Sequence, residues 1–166
     1  MDITLAQAEN QRRDLNLRYL DDPARRYTGF ESQADGVNHV AFLTDDLERT
    51  IEFYTQVLRL KLLRVRTDDA DPRSTQVFFD MGRGELLAFL RVYNMATKSA
   101  IGLGGFHHMA LTIGREQYEA ARQRLDAAHV PYTTISHEIL DTITLKDPNG
   151  ITVELSVWKV PPGKIR

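Results

Sequence analysis

The sequence predicts an α+β fold of two paired βαβββ modules behind a short helical extension. Three observations carry this. First, Gly36-Val-Asn-His-Val-Ala-Phe-Leu43 has a near-copy, Gly105-Phe-His-His-Met-Ala-Leu-Thr112, which sets Asn38–Phe42 over His107–Leu111. Second, both segments alternate as half-buried strands do, with His39, Ala41 and Leu43 on one side and His108, Ala110 and Thr112 as their counterparts. Third, each copy runs on into a helix-like stretch and then into further strand-like sequence. One histidine on an apolar strand is ordinarily a packing residue. The same histidine twice in register calls for another reason.

The elements follow in order. Residues 3–20 predict a helix, with Leu5, Ala8, Leu15 and Tyr19 roughly on one face and either Asp2 or Thr4 as its cap. Asp21-Asp22-Pro23 stops it, and a linker holding Arg25, Arg26, Tyr27 and Phe30 leads on. Residues 1–35 thus form an appendage packed on the domain or a partner subunit, or a segment closing over a site. The first module spans 36–92. It has a strand at 37–43, a helix at 47–57 carrying Leu47, Ile51, Tyr54 and Leu58, and strands at 60–66, 74–80 and 85–92. Residues 67–73 are a polar loop, and Met81-Gly-Arg-Gly84 is a hairpin turn. A connector at 93–104 leads to the second module, 105–160. There a strand at 106–113 precedes a helix at 115–128 with Tyr118, Ala121, Leu125 and Ala128 on one face. Strands follow from Val130, at 139–146 and at 151–158, the last two joined by Asp147-Pro-Asn-Gly150, a strong turn sequence. Matching Gly84 to Gly150 places Ala88 opposite Glu154.

Composition bounds the function. With 166 residues and 42% apolar side chains, the chain is long enough for one core. Its 21 basic and 23 acidic residues nearly cancel, which gives no footprint for nucleic acid. The absence of cysteine excludes disulfides and thiolate ligands. The start Met1-Asp-Ile-Thr-Leu5 lacks signal-peptide character, and no stretch has the length to span a bilayer. A soluble cytoplasmic protein, touching neither nucleic acid nor membrane, is the expectation.

The candidate chemistry lies in three residues. In the last strand, Ile151, Val153, Leu155 and Val157 share the core parity, and Glu154 falls on the other side. Joining the two sheets creates a concave surface. His39, His108 and Glu154 gathered there make a two-histidine, one-carboxylate triad, which leaves positions on a divalent metal free for water and substrate.

These residues resemble the vicinal oxygen chelate superfamily of glyoxalases, extradiol dioxygenases and fosfomycin and bleomycin resistance proteins. The resemblance covers about residues 36–158 and rests on Gly36-Val-Asn-His-Val-Ala-Phe42, Asp46-Leu-Glu-Arg-Thr-Ile-Glu-Phe-Tyr54, Val57-Leu-Arg-Leu60, His107-His-Met-Ala-Leu111 and Asp147-Pro-Asn-Gly-Ile-Thr-Val-Glu-Leu155. It implies paired modules enclosing a metal-bearing cavity, His39, His108 and Glu154 as ligands, a substrate with two adjacent oxygens, and a homodimer. The fourth family position falls on Ala88, which cannot ligate. Glu85 has the opposite parity and reads as a solvent or interface residue. The tyrosine expected in ring-cleaving relatives, three residues before the Asp-Pro turn, is Thr144 here. His137 is the candidate acid–base residue and His107 a core or supporting histidine. His129 ends a helix, where a cation suits the dipole. Tyr93, Met95, Tyr132 and Trp158 read as core or interface, and Arg73 and Arg91 as solvated surface.

The leading expectation is an extradiol-dioxygenase-like enzyme using Fe(II) on a small aromatic diol. The alternatives are a glyoxalase-like lyase or isomerase with Mn, Ni or Zn, and a metal-free small-molecule binding or resistance protein.

Overall fold

The computed structural model of the protein describes residues 4–19, 34–92, 95, 99–100 and 102–162. Asp2, Tyr93, residues 21–33 of the expected linker and part of the connector lie outside them. Contacts divide the chain into Met1–Gly36 and Val37–Arg166. In the first unit, α1 spans Leu5–Tyr19 and none of its side chains is buried. Thr4 is its cap: the Gln7 N–H donates to Thr4 Oγ1 at 3.3 Å, while Gln7 Oε1 accepts from the Thr4 N–H at 2.8 Å. This reciprocal pair satisfies two of the helix's free backbone donors. No helix among the described residues is long and apolar enough to cross a membrane.

The second unit carries two four-stranded sheets of one plan. In sheet one, β1 (His39–Leu43), β2 (Lys61–Thr67), β3 (Thr75–Gly82) and β4 (Glu85–Arg91) lie in the order β1-β4-β3-β2. In sheet two, β5 (Met109–Thr112), β6 (Tyr132–Ser136), β7 (Leu140–Lys146) and β8 (Thr152–Trp158) repeat it as β5-β8-β7-β6. In each sheet the first strand runs parallel to the last and the remaining pairs are antiparallel. Gly84 and Gly150 close the matching hairpins at φ of 85° and 84°, where a side chain would be strained. Strand β5 is shorter than the expected 106–113. Its partner β8 opens only at Thr152, so Phe106 and His107 have no ladder to join.

One face of each sheet is core. Val77, Phe79, Leu87 and Phe89 of sheet one are fully buried, as are Ile143 and Val153 of sheet two. Burying each such side chain contributes roughly 1.5–3 kcal/mol. The expected helix over 47–57 forms as α2 (Leu47–Glu52), capped by Asp46, and runs on as a π-helical turn, Phe53–Val57. Phe53 and Tyr54 are consecutive yet both buried, and the widened turn accommodates both rings. Tyr54 sits 4.9 Å from Phe89 and 5.4 Å from Phe79, centroid to centroid. The segment ends with the Leu60 N–H donating to the Tyr54 carbonyl and Arg59 at a φ of 62°. Helix α3 (Arg115–Ala127) buries Tyr118, Ala121 and Leu125, as their spacing predicts, while Ala128 is exposed beyond its end. His129 there holds a φ of 52°, the same left-handed closure as Arg59.

The modules are joined through the Asp147 turn. The buried Asp147 carboxylate accepts from the N–H groups of Asn149 and Ile151, both at 2.8 Å, and from the Tyr54 hydroxyl at 3.1 Å. Thr44 Oγ1 donates to Asn149 Oδ1 at 2.7 Å, and Arg49 reaches the Pro148 carbonyl. Arg124 donates to the Val57 carbonyl at 3.1 Å.

Strand β2 is an edge, and a register shift between Leu62 and Arg64 bulges it. Lys61 and Arg64 are exposed along it.

Candidate functional site

Strand register puts the candidate residues at equivalent places in the two modules. In sheet two, Glu154 lies between Ala110 and Thr144. In sheet one, Ala88 lies between Ala41 and Phe78. His39 and His108 each stand two residues before the alanine of their first strand, and both are exposed. The alternation that buries Met109 and Leu111 turns His108, Ala110 and Thr112 outward, onto the face that carries Glu154.

His108 Nε2 comes within 3.8 Å of Glu154 Oε2, with the carboxylate side chain 23% exposed. Two donors about 2.1 Å from one ion stand roughly 3.0–3.5 Å apart, so a slight side-chain rotation brings this pair to ligand spacing. An imidazole and a carboxylate are also a donor set suited to a divalent metal. Thr144 Oγ1 donates to Glu154 Oε1 at 3.4 Å, steadying the carboxylate from the neighbouring strand. The third expected ligand does not join them. Among the described residues, no three His, Cys, Asp or Glu groups converge as a metal site would need. His39 Nδ1 instead meets Asn38 Oδ1 at 2.7 Å.

The other candidates are placed as follows. His107 is exposed rather than core, and its Nδ1 lies 2.7 Å from Nδ1 of His108. His137 sits between β6 and β7, its N–H donating to the Leu140 carbonyl and its own carbonyl accepting from Lys159. Leu140 pairs with Trp158, four residues beyond Glu154, roughly 13 Å along the strand and away from the His108 end. His137 is therefore not brought to the His108–Glu154 pair. Glu85 accepts from the Val37 N–H at 3.4 Å, a structural tie at the start of β1. Arg73 pairs with Asp71, whose carboxyl its hydrogen bonds hold below the usual range. Arg91 is exposed. Tyr132 donates to Asp126 at 3.0 Å in an open pocket of about 620 Å³, lined also by Arg122 and His129. Neither His108 nor Glu154 lines that pocket.

Sequence reasoning missed two features. One is the contrast between the faces that carry Glu154 and Ala88. Sheet two has Thr112, Thr142, Thr144, Thr152 and Ser156 there, with Thr142 and Ser156 buried and bonded to each other at 3.2 Å, while Leu43, Gln76, Phe78, Leu86 and Leu90 hold the matching places in sheet one. Extending the turn-anchored alignment strand by strand would have shown it. The other is the Tyr54–Asp147 bond, because the Asp-Pro-Asn-Gly signal speaks only for a turn. Burial, and after it the Asp147 carboxylate, push the Tyr54 hydroxyl far above the ordinary tyrosine range, so it stays a donor.

The repeat, the parallel closure of each sheet and the matching places of Ala88 and Glu154 all point to one class, a duplicated α+β domain of two like modules. Residues 36–155 match the Glyoxalase/Bleomycin resistance protein/Dioxygenase superfamily, and the chain belongs to that family. It is 25% identical over 123 residues to the Bacillus subtilis (strain 168) protein named "Putative ring-cleaving dioxygenase MhqA", covering 71% of this chain and 39% of that one. The chain thus spans about two fifths of this curated relative. A glyoxylase/bleomycin resistance protein/dioxygenase domain from Frankia sp. EAN1pec superposes with a TM-score of 0.67 at 18% identity, over 76% of this chain and all of that one. A variant of the fosfomycin resistance protein FosX from Listeria monocytogenes, complexed with Mn(II) and 1S,2S-dihydroxypropylphosphonic acid, superposes with a TM-score of 0.56 at 18% identity. That match covers 74% of this chain and 92% of FosX.

Proposed function

We propose that this protein is a divalent-metal enzyme whose ion is held by His108, Glu154 and His39, acting on a small molecule with two adjacent oxygens. The approach of His108 to Glu154 on one sheet face carries this reading. His39 is the proposed third donor because it occupies the His108 position of the first module. When bound, the ion supplies a Lewis acid that polarises neighbouring substrate oxygens, with access to dioxygen if it is iron. The chain supplies a carboxylate steadied by Thr144 and, on the same face, the accessible hydroxyls of Thr112 and Thr152 for hydrogen-bonding a polar substrate.

The preferred reaction is ring cleavage of a small aromatic diol with Fe(II), supported by the likeness to the Bacillus subtilis protein. A lyase-type or isomerase-type reaction with Mn, Ni or Zn is the second reading, favoured by the Mn(II) in the FosX complex. The cytoplasm and a homodimer are the proposed setting; a sedimentation mass equal to one chain would remove the dimer. His137 is assigned no direct part at the metal.

The test is anaerobic purification, metal identification and substrate screening beside His39→Ala, His108→Ala and Glu154→Ala. Loss of metal in the His108 and Glu154 variants, with a coloured product from catechols in air, supports ring cleavage. Turnover without oxygen on Mn(II) supports the second reading. Unchanged metal content in His108→Ala overturns the site, and unchanged content in His39→Ala removes the third donor.

A further inference from the structure

Each strand-one histidine is touched at Nδ1 by the side chain just before it. Asn38 Oδ1 lies 2.7 Å from His39 Nδ1, and His107 Nδ1 lies 2.7 Å from His108 Nδ1. An amide oxygen can only accept, so the proton of the first contact belongs to His39 Nδ1. A neutral imidazole with Nδ1 protonated keeps its lone pair on Nε2. The second contact joins two nitrogens of the same kind, so one must donate and the other accept. The repeat decides which: His107 stands in the place of Asn38, and His108 in the place of His39. On the far side of the ring, His108 Nε2 is 3.8 Å from Glu154 Oε2, beyond hydrogen-bond distance.

We propose that Asn38 and His107 are positioning residues that hold His39 and His108 in the Nδ1-protonated form, keeping Nε2 of both free to bind a metal. Sequence separates the two modules at this point, asparagine in one and histidine in the other, yet both supply an acceptor at the same ring atom. A metal-binding histidine characteristically donates its other nitrogen to such a partner, which fixes ring and tautomer together. The consequence for metal binding rests on the reading above, whereas the tautomer assignment stands on the two contacts and the repeat, without it.

Imidazole nitrogen NMR of the metal-free full chain, above the ordinary histidine titration range, tests the assignment directly. His39 and His108 are expected to carry the proton on Nδ1, and His107 on Nε2. Asn38→Ala should release His39, and His107→Ala should release His108, into the Nε2-protonated form. His107→Asn, which copies the first module, should restore the Nδ1-protonated form of His108. Calorimetric titration with Mn(II) alone should show His107→Ala binding about 10–100-fold more weakly and His107→Asn recovering most of the loss. A wild-type His108 protonated on Nε2, or a His108 tautomer unchanged in His107→Ala, overturns the proposal. Expected tautomers in a wild-type protein that binds no Mn(II) would overturn the metal reading and leave the assignment of Asn38 and His107 intact.

Discussion

Ala88 and Glu154 hold one and the same place in two copies of a sheet, each in the last strand and each flanked by an alanine of the first strand. Their other neighbours differ. Phe78 stands beside Ala88 where Thr144 stands beside Glu154. Ala88 is fully buried, so the space a carboxylate would need in the first module is filled.

Ala88→Glu is therefore expected to destabilise the fold rather than create a second metal site. The carboxylate would displace packed atoms around a fully buried methyl and would meet Phe78 where Glu154 meets the Thr144 hydroxyl, so even with His39 in the place of His108 its burial costs about 3–5 kcal/mol. Urea unfolding measures the loss, and Mn(II) stoichiometry should not rise.

Tyr54→Phe should lower stability by roughly 1–2 kcal/mol, because the buried Asp147 carboxylate loses one donor while keeping its turn contacts. Asp147→Ala should cost more, about 3 kcal/mol, since two turn N–H groups then lose their acceptor. Chemical denaturation of both variants checks the ranking, and equal losses would contradict it.

Asp141 gives a pH dependence of known sign. Hydrogen bonds from Lys159, Ser136 and Arg115 hold its carboxyl well below the ordinary range. A carboxylate depressed in the folded state stabilises the protein above its unfolded value, near 3.9, and loses that contribution as pH falls through the folded value. Asp141→Asn should thus lower the melting temperature most at neutral pH. The gap to wild type should narrow steadily once pH drops below about 4. A gap that widens on acidification would contradict the assignment.

His129→Gly is expected to raise stability by about 0.5–1 kcal/mol, because glycine meets no steric penalty in the left-handed conformation that closes α3. A loss instead would show that the imidazole contributes through the helix dipole. Thermal unfolding of the single variant decides between the two.

Much of the fold was legible because period-two alternation, turn residues and the duplicated Asn38–Phe42 motif agree with one another. Val153, Leu155 and Val157 are buried as their parity requires. The π-helical turn at Phe53–Val57 was not legible, since its apolar spacing is also that of an α-helix. For the site, parity placed Glu154 and His108 on one face, yet the convergence of His39 with them depends on how the modules meet. Spacing along a chain carries no information about that distance. The exposure of His107 was not legible for a simpler reason: strand alternation read from residue 106 runs ahead of β5, which begins at Met109, into a segment with no partner strand.

The bulged outer strand of sheet one has a bearing on how this molecule associates. With Lys61 and Arg64 along it and its register broken at Leu62, that edge offers no continuous template for another chain's backbone. Growth of a fibre by strand addition at β2 is thereby discouraged. Copies that meet elsewhere on their surfaces are free to form closed, countable assemblies.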